Sequence, residues 1–351
     1  MYRRPMATPA VMIEAAGPSG VRQVRLTSPD RVLWPEVGVT KLDLATYVVD
    51  VGAGLMRALQ DRPVTLQRFP GGVDGEAFYS KNPPKGTPDF VRTVDVTYPS
   101  GRRHAQLVVD EVATAVWSVQ MNTITWHPWP VLTGDTNRPD ELRIDLDPQP
   151  GRDFGDAVEA ALLLRELLAE LGLTGWAKTS GNRGVHVFSR IRPEREFLDV
   201  RHAVIGIGRE LERRAPSLVT MAWWKEERGE RVFVDFNQNN RDRTIASAYS
   251  PRPLAHAPVS MPVSWDVLPS VDPADFTVLT VPAIVRSDGD PWAGIDDAVG
   301  DLAAAHASWE NDCEQGLGEL AFPPDYPKMP GEPPRVQPSR KNALNWESDT
   351  D

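Results

Sequence analysis

Apolar residues recur along this chain in two rhythms. In residues 154–171 they return every three or four positions and stop at Gly172, which predicts an amphipathic helix. The segment 199–214 has the same rhythm and ends before Pro216. Helices are predicted likewise over 41–59, 110–121 and 296–315. Period-two alternation predicts strands over 64–69, 141–146, 175–179, 185–191 and 232–237. Helices and strands mix without a regular βαβ beat. The expected class is therefore α/β of the α+β kind, with mixed or antiparallel sheets flanked by helices, rather than a doubly wound parallel fold. Residues 1–20 hold three prolines and two glycines with little pattern, so residues 1–24 are expected to form a flexible arm. Prolines cluster again from Pro323 to Pro338, and 321–351 reads as a Pro-rich tail. One catalytic unit is expected between them, over 25–320.

Composition narrows the chemistry. The single cysteine, Cys313, excludes an internal disulfide and a cysteine-ligated zinc site. No apolar run nears the roughly 20 residues a bilayer requires, so no membrane contact is expected and the cytoplasm is the expected compartment. The net charge of −11 argues against binding nucleic acid by bulk charge, but it is unevenly spread. Residues 1–110 carry +3, residues 111–177 carry −7, residues 178–252 carry +5, and the remainder carries −12. An acidic stretch between two mildly basic ones suits a carboxylate site that handles a polyanion.

Three predicted strands carry candidate chemistry. In ELRIDLDP (141–148), Leu142, Ile144 and Leu146 alternate with Arg143, Asp145 and Asp147. Two carboxylates on one strand face can share a hard cation such as magnesium or manganese; alternatively they sit in an acidic turn and cap the next helix. In WAKTSGNRGVHVFSRI (176–191), two strands flank a turn with Ser180, Asn182 and Arg183 as donors and His186 on the outgoing strand. Such a turn suits a phosphate chain, or is a solvated hairpin. In RVFVDFNQNNRDRTIASAYSPRP (231–253), Asp235 is a charge in an apolar strand, so a cation or one of Arg241, Arg243 and Arg252 must answer it. Together these are the parts of two-metal phosphoryl or nucleotidyl transfer. A DxD glycosyltransferase would explain Asp145 and Asp147 but not Asp235, and a non-catalytic nucleic-acid binding module would not need all three aspartates.

These motifs, with LTSPDRVLWPEVGVTKLDLATY, RPVTLQRFPGG, AFYSKNPP and HPWP upstream and PVSWDVL and GDPWAGIDDAV downstream, resemble the polymerase domain of bacterial DNA ligase D. That family belongs to the archaeo-eukaryotic primase superfamily, and the resemblance covers roughly residues 25–330. It implies a primase-like catalytic fold and a template-dependent primase-polymerase of non-homologous end joining and repair. It also implies two divalent cations (manganese preferred, or magnesium), NTP or dNTP substrates and frequent use of ribonucleotides. By position, Asp145, Asp147 and Asp235 resemble the metal aspartates, and Asp235 also suits the general base at the primer 3′-hydroxyl. His127, Ser180, Arg183, His186, Gln238 and Arg252 resemble contacts to the incoming nucleotide, with Arg183 standing where lysine is common. Arg31 and Lys41 resemble the pair that grips a downstream 5′-phosphate. Phe78 and Tyr79 resemble an aromatic pair that stacks on the template. The implied partners are gapped or broken DNA with a 5′-phosphate, a separate ATP-dependent DNA ligase and the Ku end-binding protein, which places the protein at the nucleoid. No Lys-x-Asp-Gly adenylation motif is present; Gly72-Val73-Asp74-Gly75 lacks the lysine. A stand-alone polymerase is therefore the expectation.

Overall fold

The computed structural model describes residues 8–18, 20–97, 101–241 and 243–320. The expected Pro-rich tail and the first seven residues lie outside that set. The first half of the chain runs through β1 (Val11–Gly17), β2 (Gly20–Leu26), β3 (Val32–Trp34), β4 (Val39–Thr40), α1 (Lys41–Asp50) and α2 (Gly52–Leu59). It continues with β5 (Pro63–Arg68), β6 (Phe78–Ser80), β7 (Thr93–Thr97), β8 (Arg103–Val108), α3 (Val112–Gln120) and β9 (Thr123–Pro128). The second half holds β10 (Glu141–Pro148), α4 (Phe154–Glu170), β11 (Trp176–Thr179), β12 (Val185–Ile191), α5 (Phe197–Arg214), β13 (Val219–Thr220) and α6 (Lys225–Arg228). Then follow β14 (Val232–Asp235), β15 (Ser250–Pro251), β16 (Val259–Ser260), α7 (Val281–Asp288), β17 (Val299–Gly300) and α8 (Ala303–Glu314).

Two sheets organise these elements. One has the order β6-β5-β8-β7, with β9 on the other edge of β5. The other has the order β11-β12-β10-β14-β13, with β17 added in parallel to β12. Its central pairs are antiparallel and β13–β14 is parallel, so the sheet is mixed, as the absence of a βαβ beat implies. Leu142, Ile144 and Leu146 of β10 are fully buried in one continuous core with Val185, Val187, Val232 and Val234. α4 covers that face through Ala157, Ala161, Leu164 and Leu168. Burial at roughly 1.5–3 kcal/mol per large side chain fixes which way β10 faces. The β15–β16 pair bridges the two sheets: Ser250 Oγ accepts from the Trp126 amide of β9 (2.8 Å), Thr125 Oγ1 donates to the Pro251 carbonyl (2.7 Å), and Ser260 Oγ donates to the Thr179 carbonyl of β11 (2.7 Å).

Several sequence expectations are corrected. The supposed arm, 1–24, instead carries β1 and most of β2, which pair antiparallel and pack on α3 through Ala15 and Val24. The 41–59 helix is two helices that break at Val51. Gly54 is needed in the second, because a Cβ there would lie 2.3 Å from the Tyr249 ring. The last predicted helix begins at Ala303, since 295–300 is spent on a 3₁₀ turn and β17. Strand β14 ends at Asp235, where the chain turns into a 3₁₀ helix over Phe236–Asn239.

Candidate active site

Strand register builds the site. Lys178 of β11 lies opposite His186 of β12, His186 lies opposite Asp145 of β10, and Asp145 lies opposite Asp235 of β14. Residues directly opposite one another share a sheet face. One row across four strands therefore carries an amine, an imidazole and two carboxylates. Asp147 adds a third carboxylate two residues along β10, on the same face. The apolar alternation of β10 produces this: burying its leucines and isoleucine on one face puts Arg143, Asp145 and Asp147 on the other, where Arg143 is itself buried and the two aspartates keep access to solvent. Helix capping does not use the two aspartates, because Asp153 and Asp156 form the capping box of α4.

The carboxylates are crowded. About a fifth of the Asp145 side chain is exposed. Burial, followed by the charges of Asp235 and Asp147, raises its pKa to about 8. Burial also raises Asp235, against hydrogen bonds from Gln238 Nε2 (2.8 Å) and the Asn237 amide (3.0 Å). Gln149 Nε2 holds an oxygen of Asp147 at 3.1 Å. Among the described residues no three acidic or histidine side chains close a cage by themselves. Carboxylate oxygens are nonetheless the donor type that hard divalent cations such as magnesium and manganese prefer.

Basic groups stand on the other side of the row. His186 Nε2 is 3.4 Å from Asp145 Oδ1, and burial with the nearby Lys178 and Arg252 charges keeps the ring neutral. Arg252 packs against the turn 180–184: a Cβ on Gly181, whose φ is +75°, would sit 2.4 Å from Arg252 Cγ. Arg252 Nε is buried and has no hydrogen-bond partner among the described residues. An orphaned guanidinium N–H beside a donor turn is what an anion would satisfy. Within that turn the Ser180 hydroxyl accepts from the amides of Asn182 (3.2 Å) and Gly184 (3.0 Å), while Arg183 is exposed at the tip. Gly184 is required as well, because a Cβ would approach the Leu146 carbonyl to 2.7 Å.

The remaining candidates divide. His127 of β9 is buried, held near Gln67 Oε1 (3.4 Å) and pushed by burial to a pKa of about 3. Tyr79 meets its ring edge-on at 5.7 Å. Phe78 and Tyr79 are 42% and 58% exposed, and Arg68 stacks on Phe78 at 4.8 Å, so the pair is a surface and not core. Arg31 is exposed. Lys41 is turned inward, donating to the carbonyls of Gln120 (2.7 Å) and Thr27 (3.2 Å), and burial and then Arg31 lower its pKa to about 8. Lys41 thus begins as an internal bond and not as a free phosphate grip.

Sequence reasoning missed two groups. Lys178 and Ser260 are buried beside the row, and the five-residue turn could have disclosed Lys178, since closing 176–179 on 185–191 puts it opposite His186. It also missed the ion network at the base of β10. Arg62 forks onto both oxygens of Asp140 (2.6 Å each), while Arg62, Arg143 and Arg190 all meet Glu141. These three arginines hold the Glu141 carboxyl down at about 2, against its burial. Arg190 continues to Asp296 and to the Arg57 carbonyl (3.3 Å), and Arg57 to Asp290, pinning the start of β10 to α2 and the 290–297 segment.

The family model of the LigD primase-polymerase domain matches residues 40–292. The multifunctional non-homologous end joining protein LigD of Pseudomonas aeruginosa is 32% identical over 274 residues, 77% of this chain and 32% of that protein. The bifunctional non-homologous end joining protein LigD of Bacillus subtilis is 31% identical over 272 residues, 77% of this chain and 44% of that protein. The chain spans about a third to less than half the length of these curated relatives. The solved polymerase domain of Mycobacterium tuberculosis ligase D in complex with DNA superposes with a TM-score of 0.73 and 28% identity, covering 78% of this chain and 98% of that one. The matched span contains the whole row from Asp145 to Asp235 and its flanking turn, and the chain belongs to the LigD primase-polymerase domain family.

Proposed function

We propose that this chain is a template-directed nucleotidyltransferase that extends a primer 3′ end or fills short gaps during end joining, with ribonucleotides favoured. The observation that carries the reading is the meeting of Asp145, Asp147 and Asp235 on one sheet face beside His186 and the 180–184 turn. Asp145, Asp147 and Asp235 would hold two divalent cations, manganese or magnesium. When bound, the cations neutralise a triphosphate and its departing pyrophosphate and acidify the attacking hydroxyl. Ser180, Arg183, His186, Gln238 and Arg252 surround the place for the triphosphate; the unpaired Nε of Arg252 supports that assignment. Asp235, whose carboxyl burial raises, is the group to take the proton of the primer 3′-hydroxyl. His127 backs the same pocket. Exposed Phe78 and Tyr79 offer faces on which template bases stack, worth about 1–3 kcal/mol per base. Arg31 would receive the downstream 5′-phosphate, with Lys41 joining only by releasing its carbonyls. Gapped or broken DNA is the substrate; a ligase and Ku are the partners this setting requires.

Primer extension on a short gapped duplex with a downstream 5′-phosphate tests the proposal, run with manganese or magnesium and with NTPs or dNTPs. Templated extension is expected from the wild type and none from Asp145→Ala/Asp147→Ala. A folded, DNA-binding protein that extends nothing under any of these conditions refutes it.

A further inference from the structure

The amine of Lys178 is fully buried, yet sequence and family reasoning leave it without a task. Its surroundings define one. Nζ lies 2.7 Å from His186 Nδ1 and 2.5 Å from Ser260 Oγ, and 5.5 Å from the Phe188 ring centre. Ser260 donates its own hydrogen to the Thr179 carbonyl at 2.7 Å, so its oxygen must accept from Lys178. The amine is therefore oriented as a donor within this pocket. Although burial lowers its pKa, as an ammonium the amine has three N–H donors and no lone pair, so the second polar atom in its reach, His186 Nδ1, accepts. A neutral imidazole that accepts at Nδ1 carries its proton on Nε2. Nε2 is the ring atom that faces Asp145 Oδ1, 3.4 Å away.

The geometry points to Lys178 as a positioning residue that fixes His186 in the Nε2–H tautomer, keeping a donor aimed at the nucleotide side of the row. The chain runs Thr179 carbonyl, Ser260, Lys178, His186, Asp145, and each link is set by the register of β10, β11, β12 and β16. Without it, the ring could place its proton on Nδ1 and present a lone pair to a phosphate oxygen, which that lone pair would repel. That last consequence rests on the proposed polymerase reading; the tautomer itself does not.

Nitrogen-15 correlation spectra of the histidine side chains, with His186 assigned through His186→Gln, read the tautomer directly in the full chain at neutral pH. The wild type is expected to show Nε2–H. Lys178→Met, close in length and without a donor, is expected to convert His186 to a mixture or to Nδ1–H. In primer extension the same variant should raise the nucleotide KM roughly tenfold, with a smaller change in kcat. An Nδ1–H ring in the wild type overturns the inference whether or not the variant folds. So does an unchanged tautomer in a folded Lys178→Met. A wild type with the Nε2–H ring but no extension activity would refute the polymerase reading and leave the positioning role standing.

Discussion

Asp145→Asn should make the metal-free protein more stable while abolishing catalysis. Burial and two neighbouring carboxylates raise the Asp145 pKa from 3.8 to about 8. Below pH 3.8 both the folded and the unfolded chain hold this proton, and nothing is lost. Above it, the unfolded carboxyl ionises freely while the folded one does not, so stability falls as pH rises, by at most about 1.4 kcal/mol per unit. The fall stops near pH 8, where the folded site ionises. Four units would amount to about 5–6 kcal/mol. About a fifth of the side chain meets water, so we expect ~2–3 kcal/mol after screening. Asparagine keeps the shape and does not titrate. Urea unfolding in EDTA at pH 5, 6, 7 and 8 is the assay. The advantage of Asp145→Asn over wild type should be small at pH 5 and grow steadily to pH 8. Manganese should reverse it, because only the wild type gains binding energy from the ion. A difference that stays flat with pH, or a variant less stable than wild type at pH 8 in EDTA, would refute the crowded-carboxylate account.

Other outcomes follow from the same structure. Glu141→Gln leaves Arg62, Arg143 and Arg190 short of their common partner, and should cost about 3–5 kcal/mol in urea unfolding. Gly181→Ala sets a side chain at φ +75° against Arg252; a loss of about 1–3 kcal/mol by calorimetry and weakened nucleotide binding by titration are expected. Phe78→Ala with Tyr79→Ala should leave stability within about 1 kcal/mol, since both rings are exposed, while fluorescence titration finds gapped DNA bound at least fivefold more weakly. Lys41→Met orphans two carbonyls and should destabilise by about 1–3 kcal/mol, whereas Arg31→Ala should not; binding of duplexes with and without a 5′-phosphate then separates structural from recognition roles.

What the sequence disclosed, and what it hid, has a physical pattern. β10 was legible because Leu142, Ile144 and Leu146 alternate with charges, and its burial follows that alternation at Asp145 and Asp147, though not at Glu141 and Arg143. The 180–184 turn was legible through its glycines: the positive φ of Gly181 is a local demand, whereas the close approaches of Arg252 to Gly181 and of the Leu146 carbonyl to Gly184 are long-range and were not. The β1–β2 hairpin was hidden because only a few of its side chains, such as Ala15 and Val24, are buried, and its stability comes from α3. The burial of Glu141, Arg143 and Arg190 was not legible, since such residues are rarely buried unless paired, and their pairing spans as many as 106 residues. Lys41 was read as a phosphate grip through the family resemblance, and its inward turn depends on the carbonyls of Thr27 and Gln120, far apart in the chain. The three aspartates could be named as a set, but not that Lys178 completes their row, because that depends on register.

The row across β11, β12, β10 and β14 also sets the order in which this protein can mature. Asp145 leaves the ribosome 90 residues before Asp235 does. At about 5–20 residues per second, that is roughly 5–20 s during which a nascent chain holds β10 without its partner strand. β12 and α4 arrive early and can cover the apolar face, so a 141–191 unit can collapse first. Its open edge is the one that awaits β14. The candidate site is therefore incomplete on a growing chain, and an emerging strand edge must be kept from other chains until residue 235 closes it.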